Sequence, residues 1–303
     1  MKTDIEPLFQ ALRERIAASP DLARLDLLTL VRPSARLAAQ RVPYARIELG
    51  ASRIGGVPDV PRDFEWPRWA PSKQRDDKFG QSWQPDGAAP LGFIAQIDLS
   101  TVSQVDDILP SSGWLYFFYD RYCEPWGYDP ADRGCCRVIY ADGDRSSLVR
   151  AEPPSDADPE HIAYPCLVED WPELTLPDAL IEIEYGTPAY EAYANLSNDL
   201  TKAGGLTQHR LLGHPQLIQN PMELKCQLAS NGIYCGSPSD FQEAEAKSLE
   251  SGAVDWRLLL QIDTDEDGPG WMWGDVGRIY FWVKKQDLSK LRFTDVWLAF
   301  QCC

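Results

Sequence analysis

No stretch of this sequence is apolar for long enough to span a bilayer. Its opening residues, "MKTDIEPLFQALRERI", carry acids and arginines where a secretory leader needs an apolar centre, so the reading is a cytoplasmic chain with no membrane contact. Only three histidines occur and no C-x-x-C pair, so zinc spacing is missing. No G-x-S-x-G, P-loop or H-E-x-x-H is present, and no G-x-G-x-x-G follows a strand. Bases are scarce: Lys and Arg number 29 against 46 Asp and Glu, a net charge of −17. That disfavours nucleic acid, because phosphates are held by Lys and Arg. It favours solubility and attraction to a basic protein surface.

What is there suits an ordinary globular chain. The length, 303 residues, allows a sizeable core, and 44% of the residues are hydrophobic. The eight cysteines include the adjacent pairs Cys135-Cys136 and Cys302-Cys303. Neighbours on a strand point to opposite faces and chelate poorly, so reduced thiols are expected. Ile5, Leu8, Phe9, Leu12 and Ile16 share one face of an amphipathic helix over 4–18, with Thr3 or Asp4 at its cap. A short helix is expected over 21–30, and strands over 45–49, 91–99, 114–120, 135–141 and 180–185. Thr187-Pro188 opens a helix ending near Gly204-Gly205, and 239–250 reads as another. "WRLLLQID", "RIYFWV" and "VWLAFQ" read as closing strands. Residues 53–90 form a long loop bearing Trp66, Trp69 and Trp83. Residues 142–178 are rich in acids and prolines, and read as a solvated linker.

The chain echoes itself. "RIGGVP" from Arg53 matches "RLLGHP" from Arg210, Gln96-Ile97-Asp98 matches Gln261-Ile262-Asp263, and "GWLYFF" matches "GRIYFW". The steps from Asp98 to Gly113 and from Asp263 to Gly277 are nearly equal. The expected fold is therefore α+β and β-rich. Two related sheet-containing repeats, 45–141 and 180–303, are joined by the linker 142–178 and pack as one compact pseudo-twofold body, residues 1–303 forming a single domain.

These landmarks resemble the YwqG-like family of bacterial proteins of unknown function. "SRIGGVPDVP" (52–61), "WP" (66–67), "PLGFIAQIDL" (90–99) and "LPSSGWLYFF" (109–118) are similar to its first half. "LLGHPQLIQNP" (211–221), "LLLQID" (258–263), "WGDVGRIYFWV" (273–283) and "QC" (301–302) are similar to its second. The resemblance implies a two-repeat β-rich fold. It implies no activity, cofactor or catalytic residue. Its association with toxin–immunity and stress gene neighbourhoods points to protein binding.

Three groups of residues are candidates for function. Asp263, Asp265, Asp267 and Gly268 have the spacing of a calcium loop, in which alternate carboxylates converge on a hard cation. The twelfth position is Gly274 rather than Glu and the flanks are strands, which excludes an EF-hand. A loop of another kind, closed by Asp275, stays open beside a plain acidic turn. Otherwise no cofactor is expected. His209 and His214 flank Arg210, whose counterpart in the first copy is Arg53; the arginines recur in both copies and suit either structural ion pairs or an anion site. Trp66, Trp69, Trp271 and Trp273 fall in loops, where they serve an interface or cap the sheets. The functional expectation is a non-enzymatic module that binds a basic protein, such as a toxin it neutralises. The alternative is a metal-dependent hydrolase or a small-ligand sensor using the Asp263–Asp275 loop.

Overall fold

The structure, a computed structural model, describes residues 4–76, 80, 82–83, 87–178, 183–202 and 207–303. Helix α1 (Glu6–Ala18) follows its apolar spacing, which buries Leu12 and Ile16. Asp4 Oδ1 accepts the Glu6 N–H at 3.1 Å, and Pro7 lies in the first turn, where a missing N–H breaks no helical bond.

Ten strands form one sheet. They are β1 (Arg32–Arg41), β2 (Arg53–Ile54), β3 (Gly92–Asp98), β4 (Trp114–Tyr119), β5 (Cys136–Ala141), β6 (Cys166–Thr175), β7 (Arg210–Leu212), β8 (Trp256–Asp263), β9 (Arg278–Lys284) and β10 (Trp297–Gln301). Their order is β5-β4-β3-β2-β6-β1-β7-β8-β9-β10, and every neighbouring pair is antiparallel. The sheet curls until it is nearly closed. Near its two edges the Trp297 indole donates to Gly127 O at 2.8 Å and the Phe300 N–H to Trp126 O at 3.2 Å. Inside, the Phe117 and Phe281 rings meet edge to face at 5.2 Å. Both faces of β4 and β9 are covered, so "WLYFFY" and "RIYFWVK" read as continuous apolar runs rather than alternating ones.

Helix α2 (Pro188–Lys202) joins α1 over β6, burying Leu12, Ile16, Leu174, Tyr193 and Leu196 together. Helix α3 (Glu223–Ser230) and the short α4 (Ala244–Leu249) cover the outer face of β8–β10 around Cys226, Ala246, Trp256, Trp282 and Trp297. Short two-stranded pairs join Asp59–Pro61 to Leu148–Arg150, Arg68–Trp69 to Ala89–Pro90 and Arg75–Asp76 to Ser82–Trp83. No helix among the described residues is long and apolar enough to cross a membrane. None of the eight cysteines forms a disulfide, and all but Cys123 and Cys303 are buried.

The segment 142–178 is not a solvated linker. Its second half is β6, which pairs with β1 along all ten residues, from Arg32 opposite Thr175 to Arg41 opposite Cys166. The acids there are used: Glu173 is buried against Arg36 and Arg210, and Asp170 accepts the Ser103 N–H. Pro172 is tolerated because β2 pairs only with Cys166 and Leu167 and the Val168 N–H goes to Ser52 O, so no strand pairs with that side of β6 at Pro172. The pair β1–β6 lies outside both expected repeats. The stretch 45–49 is no strand; Tyr44–Arg46 is a single 3-10 turn, and only Leu27–Thr29 winds within 21–30. The strand expected at 180–185 and the helix end near Gly204-Gly205 fall largely outside the described residues.

Candidate functional site

The acidic loop leaves the end of β8 and returns at β9, and the structure accounts for its carboxylates one by one. Asp263 is buried. Its Oδ1 accepts Arg278 Nε at 2.7 Å and its Oδ2 accepts the Gln208 N–H at 2.8 Å. The Asp263 N–H donates to His209 Nδ1 at 3.0 Å. That bond makes Nδ1 an acceptor, so the proton of neutral His209 sits on Nε2, which donates to Asp265 Oδ2 at 3.2 Å. Asp265 Oδ1 accepts the Gly268 N–H at 2.8 Å. Burial pushes the Asp265 carboxyl up, but the bonds from His209 and Gly268 and the charge of Arg41 hold it below the ordinary carboxylate range. Asp267 and Asp275 are exposed. Among the described residues no group of three or more His, Cys, Asp or Glu side chains is placed to hold a metal ion.

The loop is clamped. A bridge pairs Asp265 with Trp271, and the Gly270 and Trp271 N–H groups both donate to Asp265 O at 3.0 Å. Arg41, at the end of β1, reaches over and donates to Gly268 O at 2.6 Å and Glu266 O at 2.8 Å. Its guanidinium also stacks on Tyr164 at 3.9 Å. Sequence reasoning missed both residues: nothing local links Arg41 to a loop more than two hundred positions later. The same loop carries Met272 and Val276, both well exposed, with Ile162 and Tyr164 exposed on the neighbouring segment.

Trp271 and Trp273 point inward instead. Both are buried, and the Trp273 indole donates to Asp263 O at 3.2 Å. Trp69 is buried and donates to Arg133 O; Trp66 is half-buried and donates to Leu91 O at 2.8 Å. The Trp66, Trp69 and Trp273 indoles are each tied to a backbone carbonyl.

Arg53 and Arg210 are fully buried at matching places. Arg53 lies opposite Gln96 on β3, and Arg210 opposite Gln261 on β8. Gln96 Nε2 donates to Ala51 O and Gln261 Nε2 to Gln208 O, each two residues before its arginine. Gln96 Oε1 accepts the Asp59 N–H and Gln261 Oε1 the Gln216 N–H, each six residues after. Tyr116 and Tyr280 donate to the carbonyls of the same two residues, both at 2.7 Å. The charges are met differently. Asp59 pairs with Arg53 at 2.8 Å and with Arg150 at 2.8 Å, whereas Arg210 pairs with Glu173 of β6 at 3.0 Å. Burial lowers both guanidinium pKa values, and Asp59 and Glu173 work against it. His214 is buried, with Nε2 donating to Leu30 O at 2.7 Å.

No curated protein matches the chain. With its family model matched over residues 52–302, from the residue before β2 to the residue after β10, the chain belongs to the family described as Domain of unknown function (DUF1963).

Proposed function

We propose that this chain is a non-enzymatic binding module that docks a basic partner protein on the acidic loop. One observation carries the reading. Met272 and Val276 stand exposed on a loop whose other outward side chains are Glu266, Asp267 and Asp275, beside exposed Ile162 and Tyr164. Large apolar side chains ringed by one sign of charge suit a protein surface of opposite sign. Val276 is held at φ +50°, a backbone state costly for a β-branched residue, and the clamp from Arg41 keeps the loop fixed around it. A toxin with a basic face is the partner class that the immunity reading names. The alternative, a metal-dependent hydrolase or small-ligand sensor on Asp263–Asp275, has less support. Asp263 and Asp265 already serve Arg278, Gln208, His209 and Gly268, and a cation would have to displace them.

The test compares baits. The unaltered chain is expected to recover a basic protein from the source cells. Met272→Glu/Val276→Glu and Asp267→Lys/Asp275→Lys should lose it while keeping the same melting temperature. Recovery of the same protein by both variants would sink the docking reading.

We further infer that the chain arose by duplication and is YwqG-like and cytoplasmic. The sheet order is symmetric about the β6–β1 pair, and the side-chain bonds of Gln96 and Tyr116 match those of Gln261 and Tyr280 atom for atom. The quoted family motifs fall inside the matched residues 52–302.

A further inference from the structure

Where β7 stops, the sheet leaves charges unmet. Strand β7 pairs with β1 as far as Ser34 and with β8 as far as Leu260. Leu212 and Gly213 then take φ values of +63° and +81°, and the chain turns away. Strands β1 and β8 run on past it to Arg32 and Arg257. Both arginines line a cavity of about 390 Å³ together with Glu223, at the start of α3, and with Ala253, Val254 and Trp256. The three charged side chains are half-buried. Among the described residues, neither arginine has a carboxylate oxygen within 4.0 Å, and the Glu223 carboxylate accepts no hydrogen bond. Arg32 Nη1 is buried with no acceptor. Arg257 Nη1 donates to the Val254 and Trp256 carbonyls at 2.7 and 2.9 Å, which fixes its guanidinium at the wall. The contrast with the rest of the sheet is plain: buried Arg36, Arg53 and Arg210 each have an acid. Burial and the charge of Arg257 lower the Arg32 guanidinium to about 10, and Glu223 pulls the other way. Glu223 is thus close enough to act on Arg32 and too far to pair with it.

We propose that this cavity binds a free α-amino acid with an apolar side chain, its carboxylate on Arg32 and Arg257, its ammonium on Glu223 and its side chain against Val254. The charges select this class. A plain carboxylate would satisfy the arginines and face Glu223 unpaired; a plain amine would do the reverse. A ligand carrying both signs meets all three groups, and a guanidinium presents the forked donors that a carboxylate accepts. The volume falls in the range of small-molecule sites, with a few polar groups set beside apolar wall. Val254 is 72% exposed, and a bound apolar side chain covers it. The site is separate from the docking reading, since it uses none of Glu266, Asp267, Met272, Asp275 or Val276.

L-Leucine, titrated at constant ionic strength and followed by amide NMR shifts, tests this. Saturable shifts at Val254 and Arg257 are expected in the millimolar range or below. Leucinamide, which lacks the carboxylate, and isocaproate, which lacks the ammonium, should each bind at least about tenfold more weakly, the equivalent of roughly 1.4 kcal/mol. Arg32→Gln and Glu223→Gln should weaken L-leucine to a similar degree. Glu223→Gln should at the same time strengthen isocaproate, because the opposing carboxylate is gone; a merely structural Glu223 would give no such reversal. The Met272→Glu/Val276→Glu variant should bind L-leucine as the unaltered chain does, so either proposal can fail alone. No saturable shift, equal binding of leucinamide, or undiminished binding of L-leucine by folded Arg32→Gln would overturn the assignment. Should Arg32→Gln not fold, the two analogues and Glu223→Gln decide.

Discussion

Asp59 holds two arginines. Burial pushes its carboxyl up, but Arg150, Arg53 and the Gly50 N–H outweigh that and keep it below the ordinary range. Asp59→Asn leaves Arg53 buried without a counter-ion and is expected to cost about 3–5 kcal/mol, measured by urea unfolding. The corresponding residue of the second half is Gln216, and the acid there comes from a distant strand as Glu173. The recurrence of Arg53 and Arg210 was legible in the sequence; their counter-ions were not, because one lies six residues away and the other arrives through pairing with β1. His214 gives a pH signature. Burial, helped by the charge of Arg32, pushes its imidazole from 6.5 down to about 3. The unfolded imidazole binds a proton that the folded one refuses. Its contribution is therefore complete above 6.5 and is lost as pH falls toward 3, at roughly 1.4 kcal/mol per pH unit. Asp120, raised by burial from 3.8 to about 6, acts in the opposite sense between those two values. The unaltered chain should lose stability relative to His214→Gln as pH drops from 6.5 to 4.5, seen in unfolding midpoints; parallel midpoints would contradict the assignment.

At the scale of elements, the loop after β8 is ordered by one arginine from β1. Arg41→Ala removes both bonds to Gly268 O and Glu266 O and the stacking on Tyr164. Faster amide exchange is expected across 266–272, with the global unfolding free energy lowered by only about 1–2 kcal/mol, because each such bond contributes modestly in net terms. Unchanged exchange would mean that the Asp265–Trp271 bridge alone holds the loop. Strands β3, β4, β8, β9 and β10 were legible as apolar, aromatic runs. Strand β6 was not, because its prolines and acids mimic a linker when the pairing that employs them is unseen. Helix α3 was missed for another reason: "ELKCQLAS" is short and alternates polar with apolar residues, a strand-like period, and it winds because the outer face of β8–β10 needs cover.

At the scale of the molecule, four strands stand on each side of the β6–β1 pair, and both sides depend on it. Strand β2 bonds β6 and β7 bonds β1, so within the sheet the ladders of the two halves are joined only through this pair. Residues 45–141 lack both central strands and also the facing wall that brings Phe281 against Phe117. That fragment, expressed alone, is expected to show no cooperative thermal transition by circular dichroism; a sharp transition would mean that the half folds by itself. The sequence leads to two related sheet-containing repeats packed as one compact body, and leaves open how their strands are joined. The continuous curled sheet follows from the segment once read as a linker.

The sequence by itself determined the periodic elements, the acidic surface charge and the paired landmarks around Arg53 and Arg210, because these depend on local pattern and composition. Only the tertiary structure decided which charges are met and by what. Glu173 reaches Arg210, Arg41 reaches the acidic loop and Arg121 comes to lie over Trp271 and Trp273. Each of these contacts joins residues far apart in the chain, and burial makes them energetically decisive while leaving no local trace.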